Sequence, residues 1–127
     1  MLISVLKSKI HRATVTDAHI NYIGSITIDE QLLEHANIKI FEKVMVASID
    51  SGERLETYVI GGKRGSGEVC LNGAAARKIL KGDKIIIMAF ALIKYELAGR
   101  FKPVIIHVDD KNKIIEEGNQ PETDDPC

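Results

Sequence analysis

Short runs of β-branched and aliphatic residues, each cut off by turn-forming residues, constrain the fold of this chain more than any other feature. Leu2 to Lys9 alternates loosely and is followed by a threonine-rich stretch from Arg12 to Thr16. Ser25 to Ile28 alternates cleanly, and its branched side chains suit a pleated, half-buried surface. Lys43 to Ile49 and Arg54 to Ile60 flank Asp50, Ser51, Gly52 and Glu53, a hairpin signature with Gly52 supplying the turn. Further strands are expected over Glu68 to Leu71, Lys84 to Ile93 and Phe101 to Val108, with Pro103 marking an edge or a strand start. Helices are short: Asp29 caps one over Glu30 to Ala36, and Gly73 to Lys78 forms another. This pattern predicts a mainly β fold, a small β-barrel with short helices. The run from Ile85 to Ile93 shows no alternation, so its strand is expected to be covered on both faces.

Length and charge narrow the function. A chain of 127 residues has the size of one domain and buries about two thirds of its unfolded surface, enough for a core without metal or disulfide staples. Its longest apolar run has nine residues, well short of the ~20 that a spanning helix needs. The N-terminus lacks the basic-then-apolar order of a secretory signal, so the expectation is a soluble, cytoplasmic protein with no membrane partner. Residues 116–127 hold five of the 18 acidic residues and no Lys or Arg; they read as an acidic, disordered tail beyond a single domain over 1–115. The body then carries 17 basic and 13 acidic groups, a balance that suits a small anionic ligand as well as it suits a solvated surface. Clustered basic residues with interleaved aromatics are missing, which argues against nucleic acid. Cys70 reads as a small buried hydrophobe, and nothing requires it to pair with Cys127.

Several segments carry candidate chemistry. The loop Gly61 to Gly67 resembles a phosphate cradle, but it leads into a strand rather than a helix, so a flexible connection is the better reading. Four scattered histidines have no metal-ligand spacing, and no metal is expected. Lys7, Lys9 and His11 alternate on one strand face, where a solvated stripe is the commoner explanation. Arg54 and Tyr58 share a strand face: the first suits a carboxylate, the second a proton transfer. Thr57 points to the opposite face, so a site using both Thr57 and Tyr58 needs a bulge, a strong twist or a neighbouring subunit. Asn72, Gly73, Ala74, Ala75 and Ala76 put small residues at a helix start, where backbone N–H groups and lack of bulk suit an anion or a carbonyl.

Gly24 and Ser25 stand between two β-type segments. A tight turn explains the glycine by itself. In the chemical reading, the Ser25 hydroxyl attacks the Gly24 carbonyl carbon. Glycine at 24 leaves the approach open and permits strained backbone angles. The ester so formed loses its acyl group by β-elimination, and the dehydroalanine left behind hydrolyses to a pyruvoyl group.

Taken together and in order, Lys9 and His11, Tyr22 to Ser25 with Ile26 to Asp29, Arg54 with Thr57 and Tyr58, Gly65 to Gly67, and Asn72 to Ala76 resemble the aspartate 1-decarboxylases. The likeness runs from residue 1 to about residue 110, with Ser51 and Gly52 replacing the Asn-Gly more usual at that hairpin; Cys70 is not part of the pattern. It implies a double-psi β-barrel assembled as a homotetramer with active sites between subunits. It also implies self-cleavage into 1–24 and 25–127, a pyruvoyl cofactor formed from Ser25, and conversion of L-aspartate to β-alanine and CO2 for pantothenate synthesis. By the same resemblance Tyr58 protonates the product, Lys9 and Arg54 clamp the two carboxylates, and Thr57, Gly73, Ala74 and Ala75 contact substrate. Thr57 also polarises the Gly24 carbonyl during cleavage, while His11, Tyr22 and Asn72 support the site and a maturation factor is allowed for. The competing expectation is an uncleaved β-barrel module that binds an anion or nucleic acid through Lys7, Lys9, Lys63 and Arg64.

Overall fold

The computed structural model describes residues 1–20 and 24–118. Nine strands hydrogen-bond in the order β2-β6-β3-β5-β4-β7-β1-β8-β9. They are β1 (Leu2–Thr14), β2 (Asp17–His19), β3 (Ser25–Asp29), β4 (Lys43–Ser48), β5 (Arg54–Gly62), β6 (Val69–Asn72), β7 (Lys84–Lys94), β8 (Val104–Val108) and β9 (Ile114–Gly118). One α-helix, α1 (Glu30–Ala36), and two 3-10 helices, Gly73–Arg77 and Tyr95–Arg100, complete the elements among the described residues. The mainly β class expected from the sequence is the class observed. Three parallel pairings, β1 with β8, β2 with β6 and β3 with β5, join strands distant in sequence and are compatible with a double-psi arrangement.

Alternation builds the core. Ile26 and Ile28 of β3, Val59 of β5, Val69 and Leu71 of β6, and Ile85 and Ile87 of β7 are almost fully removed from water, with Ile10, Val46 and Ile106 from neighbouring strands. At ~25 cal/mol per Å² of apolar surface, each such side chain contributes on the order of 2 kcal/mol. The helix α1 forms where expected: Asp29 accepts from Gln31 N at 2.8 Å, and Asn37 closes it in a left-handed conformation. The hairpin between β4 and β5 also forms, with Gly52 at φ +76° donating to Ser48 O.

The loosely alternating residues from Leu2 and the start of the threonine-rich stretch after them lie in one continuous β1, which bulges between Ile10 and Ala13 with Arg12 at φ +64°. Two expectations are corrected. In β7, Ile85, Ile87 and Ala89 are buried, but within this chain the opposite face grows steadily more exposed, reaching 45% at Phe90 and 69% at Leu92. The strand alternates because every second side chain meets the core. Residues 116–118 belong to β9, which pairs antiparallel with β8 and places Glu117 against His35 of α1, so ordered structure passes the expected boundary at 115. The rest of the expected tail, 119–127, lies outside the described residues.

Candidate active site

The antiparallel ladder between β3 and β6 sets Ser25 opposite Asn72 and Thr27 opposite Cys70. Residues two apart on a strand share a face, so these four polar side chains form one cluster. Asn72 Nδ2 donates to Ser25 Oγ at 2.9 Å and to Thr27 Oγ1 at 3.0 Å. Cys70 Sγ donates to Asn72 Oδ1 at 3.5 Å. Ser25, Cys70 and Asn72 are buried. Although Asn72 occupies the N-cap position of the 3-10 helix Gly73–Arg77, its side chain makes no capping bond and turns to Ser25 and Thr27 instead.

Beside this cluster lies a cavity of about 430 Å³ lined by Gly24, Leu55, Glu56, Thr57, Tyr58, Asn72, Ala74, Ala75 and Lys78. Thr57 and Tyr58 both reach it without a bulge. The ladder from Lys43–Tyr58 to Ala47–Arg54 is unbroken, and β3 pairs with β5 only from Val59 onward. Before Val59 the side of β5 away from β4 has no strand partner among the described residues. The cavity runs along that edge, where consecutive residues from both faces meet it. The Tyr58 ring also lies 6.4 Å from that of Phe41.

Six of the residues singled out from sequence are therefore brought together: Gly24, Thr57, Tyr58, Asn72, Ala74 and Ala75 line the cavity, and Ser25 adjoins it through Asn72. Gly73, at φ +73°, turns the chain from β6 into the 3-10 helix without lining the cavity. Lys9 and His11 do not join them; β1 is separated from β5 by β4 and β7. His11 is buried with its ring 5.0 Å from that of His107, so the stripe it shares with Lys7 and Lys9 is not a solvated face. Arg54 is exposed at the start of β5 and lies outside the cavity lining. Tyr22 falls outside the described residues. Lys78 and Glu56 line the cavity although no motif pointed to them; Lys78 Nζ stands 3.6 Å from Glu53 Oε2.

A Cβ built on Gly24 meets no described atom within 4 Å beyond its chain neighbours, so crowding by the described residues does not account for glycine at this position. The residues around Ser25 fit a pyruvoyl group: the serine is buried at the first position of β3, an amide donor lies at its oxygen, and small side chains border the space beside it.

The other candidates are absorbed by structural contacts. Gly65 N and Gly67 N both donate to the Asp29 carboxylate, at 2.9 and 2.8 Å, so the amides a phosphate would want already hold the protein's own anion. Burial by itself pushes the Asp29 carboxyl up, but bonds from Gly67, Gly65 and Gln31, with the Lys113 charge, hold it below the usual carboxylate range. Lys7 Nζ is 2.8 Å from Glu42 Oε2 and Arg64 Nη1 is 2.6 Å from Glu34 Oε2, which engages two of the four cations that an anion-binding module would use. Among the described residues no group of three or more His, Cys, Asp or Glu is placed to hold a metal.

Comparison with known proteins settles the family. The model of a family described as aspartate decarboxylase matches residues 1–115. The chain belongs to the aspartate decarboxylase family. An aspartate 1-decarboxylase of Caldicellulosiruptor saccharolyticus is 61% identical over 122 residues, covering 96% of this chain and 95% of the relative. Another from Clostridium botulinum is 57% identical over 114 residues, 90% of each chain, and one from Campylobacter concisus is 56% identical over 117 residues, 92% of this chain and all of the relative. The match to the family ends two residues into β9.

Proposed function

We propose that this chain converts L-aspartate to β-alanine and CO2, a precursor step for pantothenate, with a pyruvoyl group made from its own Ser25. The observation that carries this reading is the meeting of Ser25 Oγ with Asn72 Nδ2 at 2.9 Å beside a cavity lined by Gly24, Thr57 and Tyr58. Names of relatives at 56–61% identity support the substrate.

Self-processing needs only water. Ser25 Oγ bonds to the Gly24 carbonyl carbon as that carbon's bond to the Ser25 nitrogen breaks, and the hydroxyl proton moves to that nitrogen. Thr57, at the cavity wall, polarises the Gly24 carbonyl. Loss of the Ser25 Cα proton then expels the Gly24 carboxylate from Cβ. Water replaces the nitrogen of the dehydroalanine, ammonia leaves, and residue 25 ends as the pyruvoyl group.

That group supplies an electron sink for the pair left when CO2 departs. This chain's residues do the rest. Tyr58 delivers a proton to the product carbon, Thr57 contacts substrate, and Ala74 and Ala75 shape the space around it, with Gly73 turning the chain into position for them. Lys9 and Arg54 clamp the two carboxylates by charge-assisted bonds. Neither lines the cavity of its own chain, and the reading takes the sites to lie between protomers of a homotetramer, with His11 and Tyr22 in support. The increasingly exposed apolar face of β7, ending at Phe90 and Leu92, gives such an assembly surface to bury. No helix among the described residues is long and apolar enough to cross a membrane, and the cytoplasm is the proposed location.

Intact-mass measurement of purified protein is expected to give fragments 1–24 and 25–127, the larger beginning with a carbonyl instead of an amine. Ser25→Ala stays whole and inactive; β-alanine production by that variant would overturn the mechanism. Tyr58→Phe is expected to lower turnover far more than assembly. Incomplete cleavage of the isolated chain would indicate that a maturation factor takes part.

A further inference from the structure

We propose that Cys70 is a positioning residue for self-cleavage, its thiol proton holding the Asn72 amide in the orientation that presents an N–H to Ser25 Oγ. The inference rests on the reading of Ser25 as the self-processing residue, and extends it to a side chain outside the motif set that resembles the family.

The geometry makes Cys70 the group that sets the direction. Asn72 has an acceptor end and a donor end, and rotation by half a turn exchanges them. Toward β3 it meets two hydroxyls, Ser25 Oγ at 2.9 Å and Thr27 Oγ1 at 3.0 Å, and a hydroxyl accepts or donates with equal ease. Those two contacts therefore tolerate either orientation. Toward its own strand the amide meets Cys70 Sγ at 3.5 Å from Oδ1. Sulfur accepts an N–H poorly, whereas an S–H can donate to a carbonyl oxygen, so this contact favours one orientation. The thiol proton has a second acceptor in Leu71 O, at the longer distance of 3.8 Å. Burial, aided by the charges of Asp17 and Glu68, pushes the Cys70 thiol up to about 11, so the proton stays in place at neutral pH.

Orientation matters because of where the Ser25 proton must go. With Nδ2 toward Ser25, the oxygen accepts and its own proton is not committed to Asn72. It can then pass to the Ser25 nitrogen as the bond from Gly24 breaks. In the reversed orientation the hydroxyl would donate to Oδ1, and the proton needed by the leaving nitrogen would be held there. Only 3% exposed, Cys70 acts through Asn72 and touches no reacting atom.

The test follows cleavage of the full chain after cell-free synthesis, by denaturing gel and intact mass, for wild type, Cys70→Ala and Cys70→Ser. Cys70→Ala is expected to cleave about tenfold more slowly. Cys70→Ser, which restores a donor, is expected to stay within about twofold of wild type. In an Asn72→Ala background, Cys70→Ala is expected to add no further slowing, a result that a purely structural role would not give. Should Cys70→Ala fail to fold, Cys70→Val takes its place as the variant without a donor. Wild-type cleavage with equal rates for the donor-free variant, or a serine variant as slow as that one, would overturn this inference alone. A wild-type chain that never cleaves would overturn the reading of Ser25 and this inference with it.

Discussion

Asn72 Nδ2 bridges two hydroxyls of β3, lying 2.9 Å from Ser25 Oγ and 3.0 Å from Thr27 Oγ1, from the strand position directly opposite Ser25. A donor fixed there holds the Ser25 oxygen in place before it attacks, and misplacing a reacting group by about 1 Å costs about 100-fold in rate. Asn72→Ala is accordingly expected to slow Gly24–Ser25 cleavage by about 100-fold. Fragment appearance over time measures the effect, and circular dichroism checks that the fold survives. Cleavage at the wild-type rate would remove Asn72 from the mechanism.

Asp29 makes the stability of the chain depend on pH. It caps α1 and receives Gly65 N and Gly67 N, so one carboxylate ties the helix start to the loop before β6. Although burial alone raises its pKa, those bonds and the Lys113 charge bring it below the ordinary range. The folded chain thus binds this proton less readily than the unfolded chain does. Its contribution is full above the ordinary value of about 4 and is lost as pH falls through the lowered folded value. Asp29→Asn is expected to cost about 1–3 kcal/mol at pH 7, with the gap from wild type narrowing near pH 3. Urea denaturation at the two pH values measures it, and an equal gap at both would refute the account.

Two glycines of the same loop separate strain from collision. Gly65 and Gly67 both have positive φ, +82° and +73°. A Cβ on Gly65 comes no nearer than 3.8 Å to Gln31 Oε1, a flexible tip, whereas a Cβ on Gly67 would stand 2.6 Å from Lys111 O, which is backbone. Asn112 holds that region in place by donating to Gly67 O and Thr14 O and accepting from Thr14 N. Gly65→Ala is expected to cost about 1–2 kcal/mol from backbone strain alone, and Gly67→Ala clearly more. Thermal unfolding of the two variants side by side gives the difference; equal losses would mean that the collision is relieved.

Local chemistry made much of this fold legible. The Asp29 cap, the turn at Gly52 and the strand starting just after Pro103 each follow from residues within a few positions. Much of the candidate site was legible too, because Gly24, Thr57, Tyr58, Asn72, Ala74 and Ala75 meet at one cavity. What escaped depends on distant pairing. Ile114–Gly118 has only two apolar residues before its charges, and it becomes a strand because β8 offers an edge. Alternation puts Cys70 and Asn72 on one face of β6, but only the register with β3 gives them Thr27 and Ser25 as partners. Likewise, no local pattern reveals that β4 and β7 come between Lys9 and the strand carrying Tyr58.

That separation yields the last prediction. Lys9 on β1 and the cavity beside Ser25 lie in different parts of the sheet order and Lys9 does not line that cavity, so the proposed clamp by Lys9 on substrate held at Ser25 is one supplied by another protomer. Two individually inactive chains are then complementary. Lys9→Ala contributes an intact Ser25, and Ser25→Ala contributes an intact Lys9. Coexpression is expected to form mixed assemblies in which some sites combine both intact residues, and to recover roughly a quarter of wild-type turnover if protomers mix at random and each site draws on two chains. Measuring β-alanine release by each variant alone and by the coexpressed pair tests this. Mixed assemblies, verified by differential tagging, that stay as inactive as their parents would mean that Lys9 serves the Ser25 of its own chain or does not bind substrate at all.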